Sequence, residues 1–258
     1  MGVLNVTPDS FSDGGQFLDH AAAIERAHEM IGEGADVIDV GGESTRPGAE
    51  AVPVAEELRR VIPVIEALAP QVRVSVDTRH AAVAEAAIAA GATLLNDVSA
   101  SLAPVAAAGG VGYVAMHMLG DPTTMQDAPR YGDVVAEVRD FLVARAEAAV
   151  AAGVSEVWID PGIGFGKTPA HNWSLMKHLN VLVRTGFPVA IGASRKRFLG
   201  LALAASDGND EAEPVPPTDR LEASVSAAVW AIMQGAGLIR VHDVRATVHA
   251  AMVVAGDQ

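Results

Sequence analysis

Short β-branched runs alternate with alanine-rich amphipathic stretches along almost the whole chain, and this alternation constrains the fold more than any other feature. Alternation of strands with helices produces parallel sheets, and eight such units within 258 residues predict an α/β fold, the (β/α)₈ or TIM barrel. The predicted strands span residues 2–6, 36–40, 72–77, 93–97, 111–117, 156–160, 188–192 and 237–241. Amphipathic helices are predicted between them, among others over residues 21–32, 54–68, 81–90 and 134–152.

The barrel is predicted to be the whole of the chain, because a TIM barrel of this length normally forms a single domain. One segment interrupts the pattern. Residues 206–219, SDGNDEAEPVPPTD, are polar, acidic and rich in proline. Such a composition predicts an exposed loop or insertion within residues 1–258 rather than a linker between two domains.

Composition excludes several classes of function. The formal net charge of -14 argues against non-specific binding of nucleic acid, although a few converging cations could still bind a small anion. The chain has no cysteine, so disulfides, zinc-thiolate sites and a cysteine nucleophile are excluded, and a reducing, cytoplasmic setting is expected. The N-terminal sequence lacks the pattern of a signal peptide, and the apolar runs are too short and too often interrupted by charges for a membrane span.

Polar side chains recur where the predicted strands end. The first, third, fourth and sixth strands end in Asn5, in Asp77, in Asn96 followed by Asp97, and in Asp160, and the eighth ends in RVHDV. A single polar residue there could be a satisfied structural group, but polar residues at all eight ends are hard to explain by packing. Because active sites of such barrels form at the carboxyl ends of the strands, the site is predicted at this end of the barrel.

One group of these residues suits a flat, nitrogen-rich heterocycle. Asp77, Asn96 and Asp160 are expected to face a common interior, where a carboxylate can accept two parallel hydrogen bonds from an amidine-like edge. Asn96 offers both a donor and an acceptor, and Lys196 can reach a ring carbonyl. The alternative for Asp77 is a structural one, an N-cap on the helix that follows its strand.

A second group suits phosphate oxygens. Arg240 and His242 lie on one side of their strand because side chains alternate along it, and with Arg46, Asn5 and either Ser44 or Thr45 they could surround an anion. Asn5 together with phosphate oxygens would also suit a hard cation such as Mg²⁺. The alternative for Arg240 is an ion pair with Asp243 or with another acid of the barrel.

The loops add aromatic and glycine residues. Residues 162–168, GIGFGKT, fail the P-loop pattern and are better explained as a tight turn after the sixth strand. Phe11 and Phe165 lie in predicted loops, where aromatic rings bury surface when a ligand closes a site. His117 could be structural or functional, and the spacing of Lys167 and His171 could reflect only helix capping.

The chain resembles the dihydropteroate synthases in the order and spacing of segments that run nearly from end to end: NVTPDSFSDGG, DVGGESTRPGA, SVDTRHAAVAEAAIAAGATLLNDVS, MHM, IDPGIGFGKT, GASRKRFLG and RVHDVR. The resemblance implies a TIM barrel that joins 6-hydroxymethyl-7,8-dihydropterin diphosphate to 4-aminobenzoate, with release of diphosphate. It also implies Mg²⁺ as cofactor, a homodimer, and competition by sulfonamides. The chain departs from the family pattern at Arg197, where serine is frequent.

The resemblance also implies roles for individual residues. The pterin would be held by Asp77, Asn96, Val98, Met116, Asp160 and Lys196. The diphosphate would be held by Asn5, Arg46, Arg240 and His242, with Asn5 also binding the metal. The aminobenzoate site would be formed by Phe11, Thr45, Arg46, Pro47, Phe165 and Lys196. Asp13, Lys196 and Arg240 would act in catalysis, with Asp13 stabilising positive charge on the pterin methylene and Arg240 the departing diphosphate.

Two other functions remain open on the sequence alone. A methyltransferase that acts on methyltetrahydrofolate and a corrinoid protein could share the pterin-binding residues, but it would not need the anion-binding segments RVHDV and STRPG. A paralogue that binds pterin without catalysis is disfavoured because the family's functional positions are retained. Release of diphosphate that depends on the amine would separate these hypotheses.

Overall fold

The computed structural model describes residues 1–7, 16–43, 52–121, 124–208 and 213–256, with the side chains of residues 16–19 excluded. Six residues with predicted roles therefore lie outside the described residues: Phe11, Asp13, Ser44, Thr45, Arg46 and Pro47. Their predicted roles stay predictions.

Each of the eight predicted strands is present. The strands are β1 (Gly2–Asn5), β2 (Val37–Gly41), β3 (Arg73–Asp77), β4 (Leu94–Asp97), β5 (Gly112–Met116), β6 (Val157–Asp160), β7 (Ala190–Ile191) and β8 (Leu238–Ile239). All of them lie within the predicted runs apart from β2, which extends one residue beyond its run. Strand location was predictable because β-branched residues in short, buried runs favour this structure.

Helices occupy the intervals between the strands. They are α1 (Gln16–Gly32), α2 (Val54–Leu68), α3 (Ala81–Ala89), α4 (Ala103–Gly109), α5 (Val134–Ala151), α6 (Pro169–Lys177), α7 (Leu179–Val183), α8 (Arg197–Ser206), α9 (Leu221–Met233) and α10 (Val244–Ala255). The four helices that the sequence predicted are among them. Capping explains some of their boundaries: Asp133 accepts hydrogen bonds from Val135 N and Ala136 N at the start of α5.

The eight strands form a closed parallel barrel. β1 to β6 pair in chain order as one sheet, and β7 pairs with β8. Two parallel bridges join these sheets, between Ile159 and Val189 and between Gly2 and Val241. Val3 N donates to Val241 O at 2.9 Å, so β8 returns to β1 and the predicted (β/α)₈ barrel is confirmed.

Apolar side chains fill the amino end of the barrel interior. A cluster separate from the strand–helix core contains Val37, Leu94, Val114 and Ala190, against which Met1, Trp158 and Leu238 pack. Bulky side chains of this kind make the interior of such a barrel a packed core rather than a channel. The amino end of the interior is therefore apolar, and the polar side chains lie toward the carboxyl ends of the strands.

Most of the described residues of the acidic segment 206–219 are exposed. Helix α8 ends at Ser206, a 3₁₀ turn spans Pro217–Asp219, and described residues such as Asp207 and Glu213 are exposed. Within the described part of the chain, none of the helices is both long enough and apolar enough to cross a bilayer.

Candidate active site

Arg240 lies in the barrel interior between two aspartates. It follows β8, and its Nε donates to Asp39 Oδ2 at 2.6 Å while its second terminal nitrogen donates to Asp77 Oδ2 at 2.7 Å. Of the alternatives for Arg240, an ion pair with a barrel acid is therefore present in the described structure. Its partner is not Asp243, because Asp243 pairs with Arg195 instead. The second terminal nitrogen of Arg195 lies 2.6 Å from Asp243 Oδ1. The two observed hydrogen bonds use two of the five N–H groups of the guanidinium, so an anion could still bind to the others.

Asp39 is a site residue that the sequence analysis missed. It lies in the middle of β2 and is fully buried. Its Oδ2 accepts from both Arg240 Nε and Asn96 Nδ2, the latter at 3.0 Å, whereas its Oδ1 is buried without a hydrogen-bond partner among the described residues. The signal was present in the sequence VIDVGG, because a carboxylate within an apolar strand requires a partner.

Asp77 ends β3 and titrates near neutral pH. Burial raises the pKa of Asp77 to about 7, Arg240 opposes this shift, and the neighbouring Asp39 and Glu57 carboxylates act with burial. The alternative role of Asp77 as an N-cap is wrong, because α3 begins after His80 and no side chain caps it. Asp77 can therefore present either a carboxylate or a carboxyl O–H to a bound ring.

Asn96 and Asp160 share the interior with Arg240. Both side chains are buried, as are Val98 and Met116, the apolar residues predicted beside them. Met116 lies opposite Asp160 in the pairing of β5 with β6. Burial raises the pKa of Asp160, and Lys196 and Arg240 are both close enough to lower it. Asp160, Lys196 and Arg240 are therefore close enough to influence one another electrostatically, and the binding roles predicted for them stay predictions.

The turn after β6 holds the side chain of Asp160, the last residue of that strand. Gly162 N donates to Asp160 Oδ1 at 2.7 Å, and Gly162 has φ +63°. A Cβ on Gly162 would lie 1.9 Å from His117 O, so no other residue fits without movement of the backbone. Gly164 and Gly166 also have positive φ, which confirms the prediction of a tight turn.

Lys196 crosses this turn from the start of α8. Its Nζ lies 4.0 Å from the centre of the Phe165 ring, and its Cδ would be 3.1 Å from a Cβ on Gly164. Phe165 is partly buried beneath the lysine. The predicted aminobenzoate residues Phe165 and Lys196 are thus in contact, and an aromatic face with an ammonium group adjoins Asp160.

His242 is a neutral group in this structure. Burial lowers the pKa of His242 to about 3, and the positive charges of Arg240, Arg195 and Lys196 act in the same direction. The His242 Nδ1 and Ser194 Oγ atoms are 3.0 Å apart. Of Arg240 and His242, only Arg240 therefore supplies positive charge, while the His242 imidazole offers a hydrogen bond.

Asn5 lies on β1, the strand next to β8 in the closed barrel. It ends β1 and is half-buried, and its Oδ1 lies beside Gly41, at 3.8 Å from the position of a Cβ on that glycine. The missing side chain of Gly41 leaves space next to the amide oxygen. An oxygen donor in this environment suits a hard cation.

His117 and Lys167 are structural neighbours of the site. The Lys167 ammonium group contacts His117 O, Gly162 O and Phe165 O at distances from 2.9 to 3.2 Å, and its Nζ is 3.0 Å from His117 Nδ1. These contacts join the end of β5 to the turn after β6. The proposal of capping is confirmed for His171, which forms a capping box with Thr168, whereas Lys167 has this different role.

Comparisons with known proteins agree with this geometry. The sequence model described as "Pterin binding enzyme" matches residues 1–242. The dihydropteroate synthase of Mycobacterium leprae is 49% identical over 98% of this chain and 91% of its own length. That of Escherichia coli strain K12 is 45% identical over 98% of this chain and 89% of its own length.

Solved structures give the same result. A Yersinia pestis dihydropteroate synthase in complex with a sulfonamide drug superposes with a TM-score of 0.89 at 45% identity, covering 99% of this chain and 92% of its own. The Xanthomonas albilineans enzyme in complex with 7,8-dihydropteroate superposes with a TM-score of 0.84 at 46% identity, covering 98% and 90%. Similarity at this level over nearly the whole chain is greater than a shared fold alone would produce. The chain therefore belongs to the family of pterin-binding enzymes.

Proposed function

We propose that this chain condenses 6-hydroxymethyl-7,8-dihydropterin diphosphate with 4-aminobenzoate, giving 7,8-dihydropteroate and diphosphate. The observation that supports this proposal most directly is that relatives 45–49% identical over 98% of the chain are dihydropteroate synthases. The chain is accordingly a transferase of folate synthesis. The roles proposed for the described residues are supported by the contacts of their side chains, whereas those of Phe11, Asp13, Thr45, Arg46 and Pro47 follow from the resemblance alone.

The pterin ring would lie over Asp160, Asn96 and Asp77. One lone pair of Asp160 Oδ1 already accepts from Gly162 N, which leaves the remaining lone pairs of the carboxylate for the amino-pyrimidine edge. Asn96 is oriented by its hydrogen bond to Asp39, so its carbonyl oxygen is fixed as an acceptor for the ring. Val98 and Met116 supply apolar walls, and the Lys196 ammonium group lies within reach of a ring carbonyl.

The diphosphate would bind at Arg240, His242 and Asn5, with Arg46 as an additional cation. Arg240 is held in place by Asp39 and Asp77, so its remaining N–H groups are preorganised for an anion. The donors at Asn5 fit Mg²⁺, because an amide oxygen beside open space combines with phosphate oxygens to give the ligands this ion prefers. When bound, Mg²⁺ would neutralise negative charge on the diphosphate.

In the reaction, the bond between the pterin methylene carbon and the diphosphate oxygen breaks, and the electron pair leaves with the diphosphate. Arg240 stabilises the accumulating negative charge, and the ring delocalises the methylene cation, which Asp13 is proposed to offset. The amine nitrogen of aminobenzoate then bonds to the methylene carbon and loses a proton. Loss of one such charge contact costs roughly 3 kcal/mol of transition-state stabilisation.

The aminobenzoate would stack beside Phe165 under Lys196, with Phe11, Thr45, Arg46 and Pro47 completing its site. Sulfonamides would compete here, in agreement with the drug complex of the Yersinia pestis relative. Arg197 is the first residue of α8 and follows Lys196 directly. Its side chain would influence how the carboxylate of aminobenzoate binds.

Release of diphosphate tests the function directly. The protein is incubated with the pterin diphosphate, with and without aminobenzoate and with and without Mg²⁺, and released diphosphate is measured. Release that requires the amine and is lost on chelation of Mg²⁺ supports the proposal. Binding of the pterin without release would instead identify a silent paralogue, and release independent of the amine would refute a synthase.

We also propose a homodimer formed through α9 and α10. Both helices expose large apolar side chains near their C-terminal ends, Met233 being 65% and Val253 82% exposed. Apolar surface at adjacent positions is typical of interaction sites. Sedimentation of Met233→Lys should show monomers, whereas Val150→Lys, at an apolar position 53% exposed on α5, should leave the dimer intact. Equal sedimentation of both variants would exclude this interface.

A cytoplasmic location is proposed from the absence of cysteine.

A further inference from the structure

The turn that precedes α8 contains an unusual backbone conformation. Arg195, which is not a glycine, has φ +58°, in the left-handed region. Residues held in this region are stabilised by their surroundings and concentrate at functional sites. Arg195 separates Ser194, whose Oγ is 3.0 Å from His242 Nδ1, from Lys196, whose Nζ lies on the Phe165 ring. Its conformation therefore sets the direction of side chains in both halves of the site.

Both backbone polar groups of Arg195 are held by the first turn of α9 and the residue before it. Arg195 N donates to Ser224 Oγ at 2.9 Å, and the first terminal nitrogen of Arg220 donates to Arg195 O at 2.7 Å. The Arg195 side chain is held separately, by an ion pair with Asp243. The hydrogen-bond partners of the Arg195 backbone are thus two residues, the donor Arg220 and the acceptor Ser224, neither of which lies at a strand end.

Arg220 is a buried cation whose hydrogen bonds in the described structure go to carbonyl oxygens. It is 5% exposed, and its Nε donates to Val215 O at 2.8 Å in addition to the bond with Arg195 O. The guanidinium passes over Gly200 of α8, where a Cβ would lie 2.4 Å from Arg220 Nε. A buried charge costs more than an apolar side chain of similar size, so packing alone does not explain an arginine here.

We propose that Arg220, together with Ser224, is a positioning residue that locks Arg195 in the left-handed conformation and thereby places Lys196 and Ser194 in the active site. The planar guanidinium holds the carbonyls of residues 195 and 215 at once in one fixed geometry. An apolar side chain cannot hold either carbonyl, and a compact ammonium group lacks the rigid fork that fixes their relative positions. Gly200 provides the space that this arrangement needs. The inference rests on the proposed function only in the role that it gives to Lys196 and His242.

The kinetic test uses Arg220→Lys and Arg220→Met in the amine-dependent diphosphate assay. A displacement of about 1 Å in a reacting group can lower activity roughly 100-fold, so kcat/KM for the pterin diphosphate should fall about 10-fold to 100-fold. Arg73→Met is the matched control, because Arg73 pairs with Glu156 at the amino end of the barrel, away from the site. Normal kcat/KM in folded Arg220 variants would overturn the proposal.

Two further variants separate positioning from general stability. Ser224→Ala removes the acceptor of Arg195 N and the hydroxyl that donates to Arg220 O, but it leaves the guanidinium of Arg220 in place, so it should lower kcat/KM less than Arg220→Met. Added to Arg220→Lys, Arg195→Gly should give several-fold higher activity than Arg195→Ala, because both lose the ion pair with Asp243 and only glycine adopts positive φ without steric cost. Equal activity of these two double variants would count against a role through the backbone of residue 195.

Hydrogen exchange provides a readout that needs no catalysis. The amides of residues 195–197 should exchange at least about 10-fold faster in Arg220→Met than in Arg73→Met, because loss of the clamp permits local opening. Unchanged exchange would overturn the inference. A wild-type protein that releases no diphosphate would overturn the proposed function instead, so the two failures are distinguishable.

Discussion

Replacement of Arg240 by methionine should destabilise the fold in a way that depends on pH. The side chain of Arg240 is 20% exposed and pairs with Asp39 and Asp77, whose side chains are 0% and 11% exposed. Methionine keeps most of the volume but leaves two carboxylates without their cation. The change therefore tests the interior ion pairs separately from packing.

The expected loss is about 3 kcal/mol at alkaline pH. Removal of one partner of a buried ion pair costs roughly 3–5 kcal/mol, and the partial exposure of Arg240 favours the lower end of that range. In a chain of this size each kcal/mol shifts Tm by about 2–4 °C, so Tm should fall by about 6–12 °C.

The loss should shrink in acid. The pKa of Asp77 is already raised to about 7 with Arg240 present, and Arg240 is an influence that lowers it. A carboxyl whose folded pKa exceeds its unfolded value holds its proton more tightly in the folded state. Its contribution to stability is therefore lost as pH rises from about 4 through the folded pKa. Without Arg240 that pKa rises further, so the deficit of the variant is largest above neutral pH.

Urea unfolding of wild type and Arg240→Met at pH 5.5 and pH 8.5 measures the effect. Arg73→Met serves as a control, since its ion pair with Glu156 has side chains that are 36% and 38% exposed and such pairs contribute about 1 kcal/mol or less. A loss below about 1 kcal/mol for Arg240→Met at pH 8.5, or an equal loss at both pH values, would refute the reasoning.

Three other substitutions test the site. Asp160→Asn should abolish most pterin binding, because an amide cannot accept two parallel N–H bonds, and calorimetry showing near-normal affinity would contradict this. Asp77→Asn should change Tm more at pH 8 than at pH 5, because the wild-type group with a pKa of about 7 is ionised, and paired with Arg240, mainly at the higher pH; an identical shift at both would exclude it. Gly162→Ala should cost several kcal/mol more than Gly110→Ala, although their φ values are +63° and +66°, because only Gly162 faces a carbonyl oxygen and no atom lies within 4 Å of the Cβ position at Gly110. Equal urea midpoints for the two alanine variants would mean that the turn after β6 relaxes freely.

The barrel could be predicted from the sequence because strands and helices are recognised from short segments of the chain. Each strand is a short β-branched run, and each helix an amphipathic stretch, so both can be recognised without knowledge of their neighbours. The residues at the strand ends were predicted for the same reason. Asp77, Asn96 and Asp160 lie at or next to the ends of consecutive or nearby strands, and parallel strands bring their carboxyl ends to one face.

The predictions were less complete where a residue's partner decides its role. Asp39 was missed because it lies within a strand rather than at its end. His242 was grouped with Arg240 as an anion-binding pair, but burial and three neighbouring cations make it neutral. Lys167 was considered for capping, whereas it joins two loops through backbone carbonyls that carry no signal in the sequence.

The sequence by itself determined the eightfold strand–helix repeat and the set of polar groups at one end of the barrel, since both follow from periodicity along the chain. Only the tertiary structure decided which charges meet. Arg240 contacts Asp39 and Asp77 across 201 and 163 residues of chain. Those contacts depend on how far the strands are staggered around the closed barrel. That stagger is set by the packing of the whole molecule, so no local pattern can encode it.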